Sequence, residues 1–97
     1  MIKMLSDNVK MVFGTGDIGI NSGIYKEDSN NIMGIIIFYN QTPRKIGAPA
    51  DVPAGTSVNI DEFPVLMEFH KPESIDVVIN ALSEAKEMML NNYFQEE

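Results

Sequence analysis

The stretch from Pro72 to Phe94 constrains the fold more than any other part of the chain. Its apolar residues Ile75, Val78, Ile79, Leu82, Ala85, Met89 and Tyr93 recur at steps of three and four. That spacing aligns side chains along one face of an α-helix. Pro72 suits a first helical position, where its missing N–H is not needed, and Glu73 and Asp76 place negative charge near the positive end of the helix dipole. At 1.5 Å per residue such a helix reaches roughly 30 Å, enough to cross a small sheet. A helix with one apolar stripe gains most of its stability from packing, so the upstream chain is expected to be the surface it packs on.

That upstream chain reads as strands. Val9 to Phe13 alternates, with Val9, Met11 and Phe13 on one side. Gly14-Thr15-Gly16-Asp17 follows as a tight turn, and Asp17 to Tyr25 alternates again through Ile18, Ile20 and Ile24. The two segments are expected to form a first hairpin. Lys26 to Asn31 is polar and predicts an exposed turn. Ile32 to Tyr39 is apolar at every position but Gly34, the pattern of a central strand covered on both faces. Asn40 to Thr56 holds Pro43, Pro49, Pro53, Gly47 and Gly55 and predicts a long loop, of the kind that often carries function. Ser57 to Ile60 suggests a short strand, and Val65 to His70 a last one before the helix. The tail Gln95-Glu96-Glu97 is expected to fray.

With 97 residues the chain makes one domain, 1–97. Strands first and a helix last predict an α+β fold, an antiparallel sheet of about four to five strands packed against one long C-terminal α-helix. One helix covers only one face of the central strand. Ile32, Ile36 and Phe38 point one way, and Met33, Ile35, Ile37 and Tyr39 the other. The 40–56 segment is too rich in proline and polar residues to make a good lid, so a homo-oligomer, most simply a two-fold dimer, is expected to bury the second face.

Composition excludes several functions. The net charge of −7, with seven Lys and Arg, argues against a direct nucleic-acid binder or an anionic-membrane binder. The absence of cysteine removes disulfides, thiol catalysis and Cys-ligated metals, and fits a reducing cytoplasm. No signal peptide is expected from Met1 to Asp7, and the apolar run Ile35 to Tyr39 is too short to cross a bilayer.

Chemistry-bearing groups are few. Gly14-Thr15-Gly16-Asp17-Ile18-Gly19 has the glycine spacing of a dinucleotide fingerprint, but strand-like residues follow where that motif opens a helix. Hairpin glycines explain it, with a backbone nest for an anion as the alternative. Arg44, the only arginine, stands beside Lys45 in the long loop, where its planar fork suits a phosphate or carboxylate. Glu68 and His70 share a side of the last strand and offer two metal ligands without a third fixed by spacing. With one histidine, no cysteine and no nucleophile elbow, an enzyme is not the favoured reading, and no cofactor is expected.

A short, acidic, cysteine-free α+β chain without catalytic motifs is a type common among accessory proteins of phages and mobile elements. The expectation is a non-enzymatic interaction module that works like an inhibitor, occupying a basic protein partner. Its contact region would be Gly14, Thr15, Gly16 and Asp17 together with Arg44 and Lys45. One alternative is sequestration of a small anionic ligand such as a nucleotide by those same residues. Another is a small metal-dependent hydrolase built on Glu68 and His70.

Overall fold

A computed structural model describes residues 1–91 and shows an α+β architecture with two antiparallel sheets and one long helix. The first sheet is a two-stranded ribbon of β1 (Ile2–Met4) and β2 (Val9–Met11). The second has three strands in the order β3 (Ile18–Asp28), β4 (Asn31–Asn40), β5 (Val65–Phe69). The helix α1 spans Pro72–Asn91. The expected stripe residue Tyr93, the expected helix end at Phe94 and the tail 95–97 lie outside the described residues.

The single sheet expected from the sequence is therefore split, and neither part has as many strands as predicted. The hairpin expected between Val9–Phe13 and Asp17–Tyr25 does not form. β2 pairs instead with β1, matching Ile2 with Met11 and Met4 with Val9. The physical reason is the turn between them, closed by the Leu5 N–H donating to the Asn8 carbonyl at 2.9 Å. β3 makes its hairpin with β4, and the predicted polar turn narrows to Ser29 and Asn30. Asp28 holds that turn by accepting from the Asn30 and Asn31 N–H groups at 2.9 and 3.0 Å. These donors hold the Asp28 carboxyl below the usual carboxylate range. Ser57 to Ile60 forms no strand; its last residue opens a short 3₁₀ turn, Ile60–Glu62.

The central strand is β4, as its two apolar faces require. Register places Gly19, Asn21 and Gly23 of β3 opposite Tyr39, Ile37 and Ile35, with Leu66 and Glu68 of β5 on the other flank. This odd-numbered face is covered from within the chain. The long loop expected to be a poor lid folds over it, and Met33, Ile35, Ile37 and Tyr39 are all buried. Composition misleads here because the cover is made by a few directed bonds. The Tyr39 hydroxyl donates to Asn21 Oδ1 at 2.8 Å and accepts from the Val52 N–H at 2.9 Å. Asn21 Nδ2 closes the ring by donating to the Val52 carbonyl at 2.9 Å. Phe63 adds its ring, 5.4 Å from that of Tyr39. Gly19 is needed beneath them, since a Cβ there would sit 2.3 Å from the Tyr39 ring.

The even-numbered face is covered at one end only. There the β1–β2 ribbon sets Ile2 against Ile18 and Phe38, with Met11, Ile36, Val65 and Met67 packed around them. The Ile2 N–H donates to Asn40 Oδ1 at 2.8 Å and ties the ribbon to the sheet. At the other end α1 lands on the face through its first turns. Ile75 lies over Gly34, near enough that a Cβ there would make an ordinary contact of 3.5 Å with the Ile75 methyl. Beyond Val78 the helix draws away from the sheet, and α1 has no buried residue. The stripe was expected to pack on the upstream chain, yet Leu82 near its centre is 65% exposed. The chain is correspondingly extended, with a radius of gyration of 15.6 Å against about 12.5 Å for a compact domain of this length.

Candidate functional site

The turn after β2 and the long loop do come together. Gly14 and Gly16 have φ of 144° and 71°, values that suit glycine. Gly16 also lies directly against the Arg44 backbone, where a Cβ would come within 1.8 Å of the Arg44 carbonyl oxygen. The Gln41 side chain bridges the two segments, donating to the Gly16 carbonyl at 3.2 Å and accepting from the Asp51 N–H at 3.1 Å.

The polar groups in this corner point at one another. Arg44 donates from Nε to the Thr42 carbonyl at 3.1 Å and from Nη1 to the Pro49 carbonyl at 3.2 Å. Its Nη2 pairs with Asp51 Oδ1 at 2.6 Å. The guanidinium thus braces its own loop with the fork that anion recognition requires. Asp17 accepts from the Met1 amino group at 2.9 Å, and this bond holds its carboxyl below the usual range. Thr15 and Lys45 are exposed, and the Lys45 carbonyl accepts from the Ala48 N–H at 3.0 Å in a local turn. Arg44 therefore has its fork in use, and what this corner visibly does is pin the loop over the sheet.

Glu68 and His70 do meet, Nε2 to Oε2 at 2.7 Å, with both side chains exposed at the end of β5. Among the described residues no group of three or more His, Cys, Asp or Glu is placed to hold a metal ion.

The larger of two cavities among the described residues is one that sequence reasoning did not place. Between the even face of the three-stranded sheet and α1 runs an open apolar groove of about 590 Å³. Its floor is Ile20, Ile36, Phe38 and Met67, with Phe13 at the ribbon end. Its wall is Ile75, Val78, Ile79 and Leu82 of the helix. Ser22 is the one polar side chain among the described residues that line it. Phe13, whose ring meets that of Phe38 edge-on at 6.3 Å, is itself largely exposed. The signal for this site was present in the sequence as the conflict between a strand apolar on both faces and a single helix. What could not be read was which face would be left open.

A second cavity, about 390 Å³, lies under the long loop between Tyr25, Ile35, Val52 and Ile60. Among the described residues no charged side chain lines it. No helix among the described residues is long and apolar enough to cross a membrane. Comparison with protein-family models, curated proteins and solved structures finds no match for this chain.

Proposed function

We propose that this protein is a non-enzymatic interaction module whose working surface is the apolar groove between the even face of the β3–β4–β5 sheet and α1. One observation carries the proposal. Ile20 (49%), Ile79 (51%) and Leu82 (65%) remain exposed around a continuous apolar cavity. Contiguous patches of this kind normally mark an interface, because each large side chain left in water forgoes about 1.5–3 kcal/mol of burial.

Among the described residues no charged side chain lines the groove, so affinity there comes from apolar contact. The acidic surface, net −7, acts on the approach of a basic partner and on the salt dependence of its capture. Sequestration of an anion would require Arg44 to leave Thr42, Pro49 and Asp51. A hydrolase would require a third ligand beside Glu68 and His70.

The chain has no native cysteine, so a single introduced thiol reports its own surroundings. In dilute protein, Ile79→Cys and Leu82→Cys are expected to react with a maleimide nearly as fast as a free thiol. Ile37→Cys, under the loop, is expected to react at least tenfold more slowly. Slow reaction at 79 and 82 in the dilute monomer means that the groove is closed from within, and the proposal falls.

A further inference from the structure

We infer that the occupant of the groove is a second copy of this chain, its α1 lying antiparallel to the first so that Leu82 meets Leu82 on a two-fold axis. This rests on the groove being an interaction surface, and it adds the identity of what binds there.

The helix stripe itself is the first argument. Counted from Leu82, the apolar members Ile75, Val78, Ile79, Ala85 and Met89 fall at −7, −4, −3, +3 and +7, a pattern that reads the same in either direction except at +4, which is Lys86. Two such helices running oppositely bring Ile75 opposite Met89 and Ile79 opposite Ala85. A large residue facing a small one lets two helices approach to the usual 8–10 Å between axes. Lys86, the one break in that symmetry, falls opposite Val78, where its four-carbon stem adds apolar cover while the amine runs out to the side. Nothing requires a foreign partner's stripe to carry this symmetry, whereas a closed two-fold interface must be complementary to itself.

Area is the second argument. The chain exposes 7784 Å², whereas a compact monomer of 10.8 kDa exposes about 5,500 Å². The open residues of the groove and stripe (Phe13, Ile20, Ile79, Leu82 and Met89), with Ile24 farther along β3 opposite Gly34, offer on the order of 800 Å², the share that a standard stable interface takes from each partner. The helix that walls the groove also projects beyond it, so one copy supplies both the recess and the ridge that fills it.

Charge placement is the third. Glu73, Asp76, Glu84 and Glu87 lie on the side of α1 away from Leu82 and stay at the rim of such a pair. Two subunits of net −7 repel each other, so salt should strengthen this association by screening. Capture of a basic partner by the same chain would respond in the opposite direction.

Three measurements on the full chain test the inference together. Sedimentation from nanomolar to high micromolar concentration should show the mass rising from 10.8 kDa to twice that value, with added salt leaving the transition unchanged or moving it to lower concentration. Over the same range Leu82→Cys should lose at least tenfold in labelling rate. Mild oxidation should join Leu82→Cys to itself, and a mixture of Ile75→Cys and Met89→Cys should form the mixed disulfide, while Glu84→Cys should form neither. Leu82→Glu should stay monomeric with an unchanged circular dichroism spectrum.

A chain that stays at one mass, with Leu82→Cys reactive at every concentration, overturns the second copy as occupant and leaves the groove standing as a surface. Protection at the lowest concentration overturns both. A dimer that dissociates as salt is added, that joins Ile75→Cys to itself, or that forms without the Leu82→Cys crosslink (as pairing along the β5 edge would) overturns the assigned interface.

Discussion

The two faces of β4 are built from the same kind of residue and end in different states. On the odd face, Ile35, Ile37 and Tyr39 are covered by an irregular loop containing three prolines. On the even face, Ile36 and Phe38 are met by a ribbon at one end and by the first turns of a helix at the other, with a groove between. The regular element, which sequence periodicity identifies so clearly, gives the poorer cover within the chain. A loop is a good lid when its few polar anchors find partners on the sheet, as Val52 does with Tyr39 and Asn21. A helix is a poor lid when its stripe is longer than the surface beneath it. The unfinished face is then the one available for binding.

The strongest test of this contrast compares truncations on the two faces. Ile37, 3% exposed, should lose about 2–5 kcal/mol on Ile37→Ala, as buried large-to-small changes do. Ile20, 49% exposed in the groove, should lose under about 1 kcal/mol on Ile20→Ala in dilute protein, because half of its surface is already in water. Urea melts of the two variants at low concentration check this. Equal losses mean that the groove is filled in the monomer and that the faces do not differ.

Next in size is the latch that makes the loop a lid. Tyr39→Phe keeps the ring on Gly19 and removes one hydroxyl, leaving Asn21 Oδ1 without its donor and the Val52 N–H without its acceptor. A cost of about 1–3 kcal/mol is expected for partly buried groups left unpaired. Hydrogen exchange should show it locally, as faster exchange at Val52. If exchange there is unchanged, the loop is held by the packing of Phe63 on Tyr39, and the hydroxyl is incidental.

Much of this architecture was legible in the residues. The α+β order, the central strand from its run of isoleucines and the helix start at Pro72 all follow from periodicity and end signals. β1 was not legible, because three residues carry too little alternation to stand out, and missing it reassigned the partner of β2. The fate of Arg44 was half legible. Its loop and the Gly14–Asp17 turn do meet at Gly16, but its pairing with Asp51 and the Pro49 carbonyl depends on how a proline-rich loop curls. Composition does not carry that information. The groove was legible as a surplus of apolar surface and illegible as a place, since its position depends on where α1 leaves the sheet.

Arg44→Ala should have a smaller effect than the latch. The ion pair with Asp51 lies at the surface, where such pairs are worth about 0–1 kcal/mol and are weakened further by salt. A loss within that range, shrinking as sodium chloride is raised, is expected in thermal melts. A loss as large as that of Ile37→Ala would make the Arg44 brace, and not the Tyr39 latch, the main fixture of the covered face.

The smallest effect is expected where sequence periodicity alone predicts one of the largest. Leu82 occupies the centre of the helix stripe, and a core reading of that stripe gives Leu82→Ala a cost of about 2–5 kcal/mol. In the structure about a third of its surface is covered, by its own helix and the rim of the groove. Full burial of a leucine is worth about 1.5–3 kcal/mol, so a third of it is about 0.5–1. Alanine returns a few tenths through its higher helix propensity. The net change in dilute protein should be about 0.5 kcal/mol, near the limit of a denaturant melt. The same substitution in concentrated protein removes two facing side chains at the centre of the inferred interface. The loss in apparent stability should therefore grow with protein concentration, as it does when folding is linked to association. A loss near 0.5 at every concentration takes Leu82 out of any self-association and leaves the groove to a different partner. A loss of several kcal/mol in the dilute chain shows α1 folded down onto the sheet, and the contrast between the two faces of β4 disappears with it.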